Sequence, residues 1–404
     1  MQSLKHFNSY RPTFGGLGLM LIALLSTVVL SSCGDNPTVT QSVTATVQAV
    51  PTANLGNATP ASASTTSSSN KVTTTASTTL SPDKAATTAG SSTATDKIKI
   101  RLSFPGEKET ANGTMAIRFM ELVAQKTGGR VEVELFPNSS IAGGDQLTAV
   151  NMVRADKLEA IVSQASFFGT IDPNIELLNY PFLFSNRENA LRFLASDTGK
   201  QLLQGLEQYN FKVLAFNDQG FRQISNSKRP VVSPSDLAGL KIRIPQSNLY
   251  TRVLKALGAE PVTMNFSPEL YKALKAKTLD GQDAPIIFSL VNKYQEVLPY
   301  MTTVNYSWDP LLLNFSLNFW KNLPADLQKA ISEAGSEVTD TLNKAIDTSE
   351  KAALEQFKAA GVQVTALTPE QRQVFVNTTS SIYQEAQSKY SKDLLDQLLK
   401  AAQG

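Results

Sequence analysis

The chain has 404 residues, 37 basic and 35 acidic, with a formal net charge of +2, one histidine and one cysteine. That balance leaves no electrostatic footprint for nucleic acid or an anionic membrane surface, and no nucleic-acid partner is expected. Because His6 and Cys33 both lie at the amino terminus, the body behind them has no imidazole for proton transfer near neutrality, no thiol nucleophile, no thiolate metal site and no disulfide. A body of that composition is expected to bind a molecule rather than transform it. Carboxylate pairs are the remaining route to catalysis.

In chain order, Lys5 and Arg11 precede an uninterrupted run at residues 17–30, Leu-Gly-Leu-Met-Leu-Ile-Ala-Leu-Leu-Ser-Thr-Val-Val-Leu. At about 14 residues it is too short to span a bilayer comfortably and fits the apolar region of an export signal. Leu30-Ser31-Ser32-Cys33 follows directly and resembles the bacterial lipobox. That resemblance implies acylation of Cys33, which then begins the mature chain. Two or three acyl chains would hold it at a membrane, since one binds only marginally. Loss of residues 1–33 removes Lys5 and Arg11 and leaves 35 basic residues, equal to the acidic ones.

Residues 34–96 are Thr, Ser and Ala with scattered Val and Pro, and contain no aromatic residue. They bury too little apolar surface to offset ordering entropy and are expected to form a disordered tether, or an O-glycosylated stalk. As a flexible chain the tether reaches roughly 45 Å.

Alternation begins at Lys97. Residues 98–104 and 131–136 read as strands, residues 115–126 as a helix stopped by Gly128-Gly129. Asp145 opens a helix over 146–155, and residues 159–163 form a short apolar strand. This strand and helix order predicts an α/β domain with a mainly parallel sheet. Residues 212–216, 241–244 and 261–264 read as further strands, and 249–257 as a helix closed by Gly258. Ser267 caps a helix with Pro268 at its first position. Residues 324–360 predict one or two long helices, 369–389 another, and a shorter one ends the chain.

About 300 residues is near the limit of one core, so two α/β lobes with a ligand cleft at the carboxyl ends of their strands are expected. Alternation over Lys241-Ile242-Arg243-Ile244 sets Ile242 and Ile244 on one face and Arg243 on the other. A guanidinium grips a carboxylate with two parallel hydrogen bonds, so Arg243 is a candidate ligand residue, the alternative being a solvent-facing arginine on an edge strand.

Residues 97 to about 375 resemble the DctP-like solute receptors of TRAP (tripartite ATP-independent periplasmic) transporters. The resemblance is carried by residues 134–145 (Glu-Leu-Phe-Pro-Asn-Ser-Ser-Ile-Ala-Gly-Gly-Asp), similar to the family run Y-P-x-x-Q-L-G. It continues in Leu178-Asn179-Tyr180-Pro181-Phe182-Leu183-Phe184, in Gly220-Phe221-Arg222-Gln223 with Asn226, and in residues 236–245. Tyr271-Lys272-Ala273-Leu274, Leu279-Asp280-Gly281-Gln282-Asp283 and residues 318–324 complete it. The resemblance implies a two-lobed, flytrap-like α/β receptor with a long bracing helix and a helical C-terminus. It implies capture of a small organic acid for TRAP membrane subunits, without catalysis, cofactor or metal. The lobes would be residues 97–219 completed by about 308–345, and 220–307 completed by about 346–376. Residues 377–404 would be a helical extension able to pack against a second copy, making a homodimer.

By the same resemblance, Arg243 pairs with the ligand carboxylate, Arg222 assists and Phe266 lines the pocket. Ser163, Gln164 and Phe167 are candidate contacts from the first lobe. The loop at 105–112 is placed to reach the cleft, with Glu107 and Glu109 outside it. Many relatives carry Glu-Asn-Pro where this chain has Asp283-Ala284-Pro285. Asp283 is therefore a candidate contact, Ala284 offers no polar group, and Phe288 is placed to fill the space. The alternatives are a receptor for an ATP-driven importer, a sensory receptor, and, remotely, a glycosidase using Asp280 and Asp283 in a short turn. No phosphate-binding loop, dinucleotide fingerprint, nucleophile elbow or zinc spacing is present.

Overall fold

The computed structural model describes residues 97–403, so the export signal, Cys33 and the tether lie outside the described residues. Eleven strands occur in chain order: β1 (Ile98–Ser103), β2 (Val131–Phe136), β3 (Ala160–Gln164), β4 (Phe211–Asn217), β5 (Arg222–Asn226), β6 (Lys241–Ile244), β7 (Glu260–Thr263), β8 (Gly281–Pro285), β9 (Tyr300–Thr303), β10 (Leu311–Ser316) and β11 (Gln363–Ala366). They form two sheets, in the orders β2-β1-β3-β10-β4 and β11-β9-β5-β8-β6-β7. Each sheet with its helices is one lobe.

The mainly parallel sheet expected from the strand and helix order is present, with one reversed strand in each sheet, β10 in the first and β5 in the second. In the first lobe β1 runs parallel to β2 and β3, but β10 runs antiparallel to both β3 and β4. In the second, β5 is antiparallel to β8 and β9. The cause is the path of the chain. It enters the second lobe after β4 and returns through β10, which slots into the first sheet from the opposite end. Covered on both faces, β10 reads as an apolar run, with Leu311, Leu312, Leu313 and Phe315 fully buried.

The crossing points are two adjacent segments. Residues 218–221 link β4 to β5, and residues 304–310 link β9 to β10. They pair through a bridge between Phe221 and Trp308 and through the Arg222 N–H donating to the Ser307 carbonyl at 2.8 Å. Gly220 makes this crossing at φ +89°, where a side chain would run into Glu350.

A third connection is the helix Ala325–Ala359, 35 residues and roughly 50 Å long. It begins with Pro324 at its N-cap. Leu327, Ile331, Ala334 and Val338 pack into the first lobe with Phe119 and Phe315, while Ala353 and Phe357 pack on Ile286 and Met301 of the second. One continuous helix therefore braces both lobes.

The helix expected over residues 369–389 is broken into Pro369–Thr378 and Ser380–Lys389. Thr379 is buried, and its hydroxyl donates to the carbonyls of Phe375 and Val376 at 3.2 and 3.0 Å. The hydroxyl run Thr378-Thr379-Ser380-Ser381 thus competes for the backbone bonds that would continue the helix. The last helix, Lys392–Gln403, sets its apolar face against this chain. Leu395, Leu398 and Ala402 are buried in this chain's own core. Tyr383 and Tyr390 donate to the carbonyls of Pro181 and Pro173 at 2.8 and 2.9 Å. Among the described residues, no helix is long and apolar enough to cross a membrane.

Candidate functional site

Arg222 and Arg243 are the two arginines that are buried among the described residues, 3% and 4% exposed. They stand on β5 and β6, either side of β8 in the second sheet. Pairing of β5 with β8 brings Arg222 opposite Pro285, and Gly281 permits it, since a Cβ there would lie 2.2 Å from the Ser225 carbonyl oxygen.

The surroundings of the two cations differ. The Arg222 Nε and Nη2 donate to the two Asp283 carboxylate oxygens at 2.7 and 3.0 Å, and Nη2 also reaches the Asp283 carbonyl at 2.9 Å. Its Nη1 meets Asp309 at 3.3 Å, and its guanidinium lies over the Tyr250 ring at 4.6 Å. Burial opposes the Arg222 charge, and the Asp283 carboxylate more than offsets that, holding its pKa well above the ordinary value. Asp309 accepts from the Ser166 N–H and hydroxyl at 3.0 and 2.8 Å and from Asn179 at 2.9 Å. Burial pushes its carboxyl upward.

Arg243 has no such company. Its Nε donates to the Met264 carbonyl at 2.8 Å, and among the described residues its other two nitrogens make no hydrogen bond and no ion pair. Burial lowers its pKa to about 10, so it remains a cation at neutral pH.

Both arginines line one narrow cavity between the lobes. From the first lobe come Pro105, Gln146, Gln164 and Phe167, from the first crossing segment Gln219, and from the second lobe Pro245, Phe266, Ala284, Pro285 and Phe288. The space is about 370 Å³ with its open mouth included. A larger depression, about 1300 Å³ on the same measure, runs along β4 and is lined by neither arginine; there Lys212 and Glu207 pair with each other at 2.7 Å.

One contact spans the mouth. Asp145 caps the helix Gln146–Arg154 by accepting from the Thr148 N–H at 2.6 Å, and its other oxygen accepts from Asn265 at 2.8 Å and Gln246 at 3.5 Å across the cleft. Burial would raise its pKa, but these donors outweigh it and hold the carboxyl below its ordinary 3.8.

The structure therefore places Arg243, Arg222, Phe266, Gln164 and Phe167 on one cavity, with Ala284 and Phe288 beside them. Asp283 is not on it. Its carboxylate is taken up by Arg222 and by the Tyr306 hydroxyl, which makes it the counter-ion behind the wall rather than a ligand contact. Asp283 lies within β8, not in a short turn. Ser163 is buried behind the wall, bonded to the Gln146 amide at 2.8 Å. Glu107 and Glu109 are exposed. Gln146 and Gln219 escaped sequence reasoning. The signal for Gln146 was Asp145, which fixes the first turn of its helix. Gln219 sits in a crossing segment without periodicity. No cluster of three or more metal-ligating side chains occurs among the described residues.

Two sheets joined by paired crossing segments and a bracing helix, closing on buried cations, define a two-lobed solute receptor. The profile of bacterial extracellular solute-binding protein family 7 (DctP) matches residues 105–390, and the chain belongs to this family. It is 31% identical over 302 residues to the C4-dicarboxylate-binding periplasmic protein DctP of Shewanella loihica, covering 74% of this chain and 88% of that protein. The sugar acid binding protein of Advenella mimigardefordensis, solved with galactonate, superimposes with TM-score 0.72 at 27% identity, over 76% of this chain and 98% of that one. A TRAP periplasmic solute binding protein of Haemophilus influenzae with bound L-gulonate gives TM-score 0.71 at 26% identity, over 76% and 100%.

Proposed function

We propose that this protein captures a small organic anion by its carboxylate between the lobes and delivers it to a TRAP-type membrane transporter. The observation that carries this is Arg243, a buried cation on the cavity wall whose two terminal nitrogens make no bond among the described residues. A buried charge without a partner is costly, and a carboxylate meeting both nitrogens relieves that cost. The relatives agree in kind: one is named for C4-dicarboxylates, and the solved neighbours hold galactonate and L-gulonate.

In this reading Arg243 is the anchor, Arg222 offers its remaining N–H, Phe266 and Phe167 enclose the ligand and Gln164 contacts it from the first lobe. Asp283 acts through Arg222. The first lobe is residues 97–219 completed by about 308–345, the second 220–307 completed by about 346–376, and 377–404 the extension. Ligand bridging both walls favours the closed arrangement over an open one, a population shift about the two crossing segments. The ligand leaves chemically unchanged. Acylation of Cys33 holds the receptor at a bacterial membrane through the 34–96 tether, and Cys33→Ser is expected to move it from the membrane to the soluble fraction. Retention of that variant at the membrane refutes the anchor.

The test of the main reading is calorimetry on Arg243→Ala with an organic acid bound by the natural chain. Truncating one partner of a buried charge pair costs about 2–5 kcal/mol, so affinity is expected to fall at least about 30-fold. Unchanged affinity removes Arg243 from the site and the reading with it.

A further inference from the structure

We propose that the cleft selects a monocarboxylate with a compact apolar body over dicarboxylates and polyhydroxylated acids; the inference rests on the reading of the cleft as an organic-anion site. It follows first from charge. Two guanidiniums reach the cavity, and among the described residues no Asp or Glu side chain lines it. Two positive charges would ordinarily suit two carboxylates. Arg222, however, is already held by both oxygens of Asp283 and by Asp309. A ligand carboxylate on Arg222 would share it with two buried carboxyl groups, one of them raised in pKa by burial. Arg243 keeps both terminal nitrogens free among the described residues. The wall therefore neutralises one negative charge. A second ligand carboxylate would enter a buried space without a counter-ion.

The body of the ligand is set by what faces Arg243. Phe266 and Phe288 meet edge to face with ring centroids 4.7 Å apart. Phe167 closes the opposite side, and Ala284 lies between, where an amide side chain would have supplied donors. The neutral polar groups on the wall are partly committed. The Gln146 amide nitrogen donates to Ser163 and Gln164, and the Gln219 amide donates to the Asp309 carbonyl at 2.7 Å. A polyol chain needs a partner for each hydroxyl it buries, and this wall offers few. An apolar chain or ring needs none and gains contact with three aromatic faces.

The experiment is calorimetry on the full chain with 4-methyl-2-oxopentanoate and phenylacetate as monocarboxylate probes, succinate and galactonate as competitors, and galactose as a neutral control. At least one monocarboxylate is expected to bind at least about 100-fold more tightly than succinate and galactonate, the scale set by an unpaired buried charge. Succinate or galactonate binding as tightly overturns this inference and leaves the organic-anion reading standing. Galactose binding in preference to every acid overturns that reading as well. Silence from all four acids overturns the inference. Asp283→Asn supplies a second test, because it releases Arg222 from its main counter-ion. Succinate affinity is expected to rise at least about tenfold in that variant, with a thermal melt confirming that it folds. A folded variant without the gain overturns the charge argument. Should it fail to fold, the titrations on the natural chain decide alone.

Discussion

Arg222 and Arg243 occupy neighbouring regions of one sheet, equally buried, on the same cavity wall. Around Arg222, two carboxylates, a carbonyl and an aromatic face use nearly every donor of the guanidinium. Around Arg243, one backbone carbonyl takes one donor and the fork is left open. Residue type and burial are the same, and the count of partners separates a cation that holds the lobes' crossing segments together from one poised for a ligand. Arg222 ties β5 and β8 to Asp309 on the return crossing, so its loss is felt by the fold. On the proposed reading, the loss of Arg243 is felt by affinity.

The largest effect that breaks or sharpens this contrast is on stability. Arg222→Ala leaves Asp283 buried without its partner and is expected to destabilise by about 3–5 kcal/mol, whereas Arg243→Ala, which removes an uncompensated buried charge, is expected to leave the melting temperature unchanged or raise it. Equal losses in thermal melts of the two variants would erase the distinction. Next is Arg243→Lys. An ammonium cannot make two parallel bonds to a carboxylate, and the loss of one charge-assisted hydrogen bond predicts roughly tenfold weaker binding by calorimetry. Full affinity in the lysine variant would show that charge alone suffices there.

The smallest effect concerns the mouth. Asp145→Asn removes a contact that is partly open to solvent, and it is expected to weaken ligand binding by no more than about 1 kcal/mol. The sign with pH follows from its depressed pKa. A carboxylate held below 3.8 in the closed protein contributes above that value and loses its contribution as pH falls through the depressed one. The difference between the natural chain and the asparagine variant should therefore be present at neutral pH and vanish in strong acid. A difference that persists there would assign the effect to shape rather than charge.

Much of the fold was legible because its local signals agree. Residues 131–136 and 241–244 alternate with period two and form β2 and β6 with those bounds. Asp145, Ser267 and Gly258 mark helix ends where the chain turns. What was illegible is non-local. Gly281-Gln282-Asp283-Ala284-Pro285 carries no strand signature, yet forms β8 at the centre of a sheet because β5 and β6 flank it. The reversed direction of β10 depends on where the chain crosses between lobes, which no window of sequence contains.

The sequence by itself determined the two α/β regions, the family motifs, a body without imidazole or thiol, and the candidacy of Arg243. Only the tertiary structure decided that Asp283 belongs to Arg222, that Gln146 and Gln219 reach the cleft, and that Arg243 makes no ion pair among the described residues. The physical reason is that periodicity and capping are written within a few residues. The pairing of a buried charge depends on which distant carboxylate the fold sets beside it.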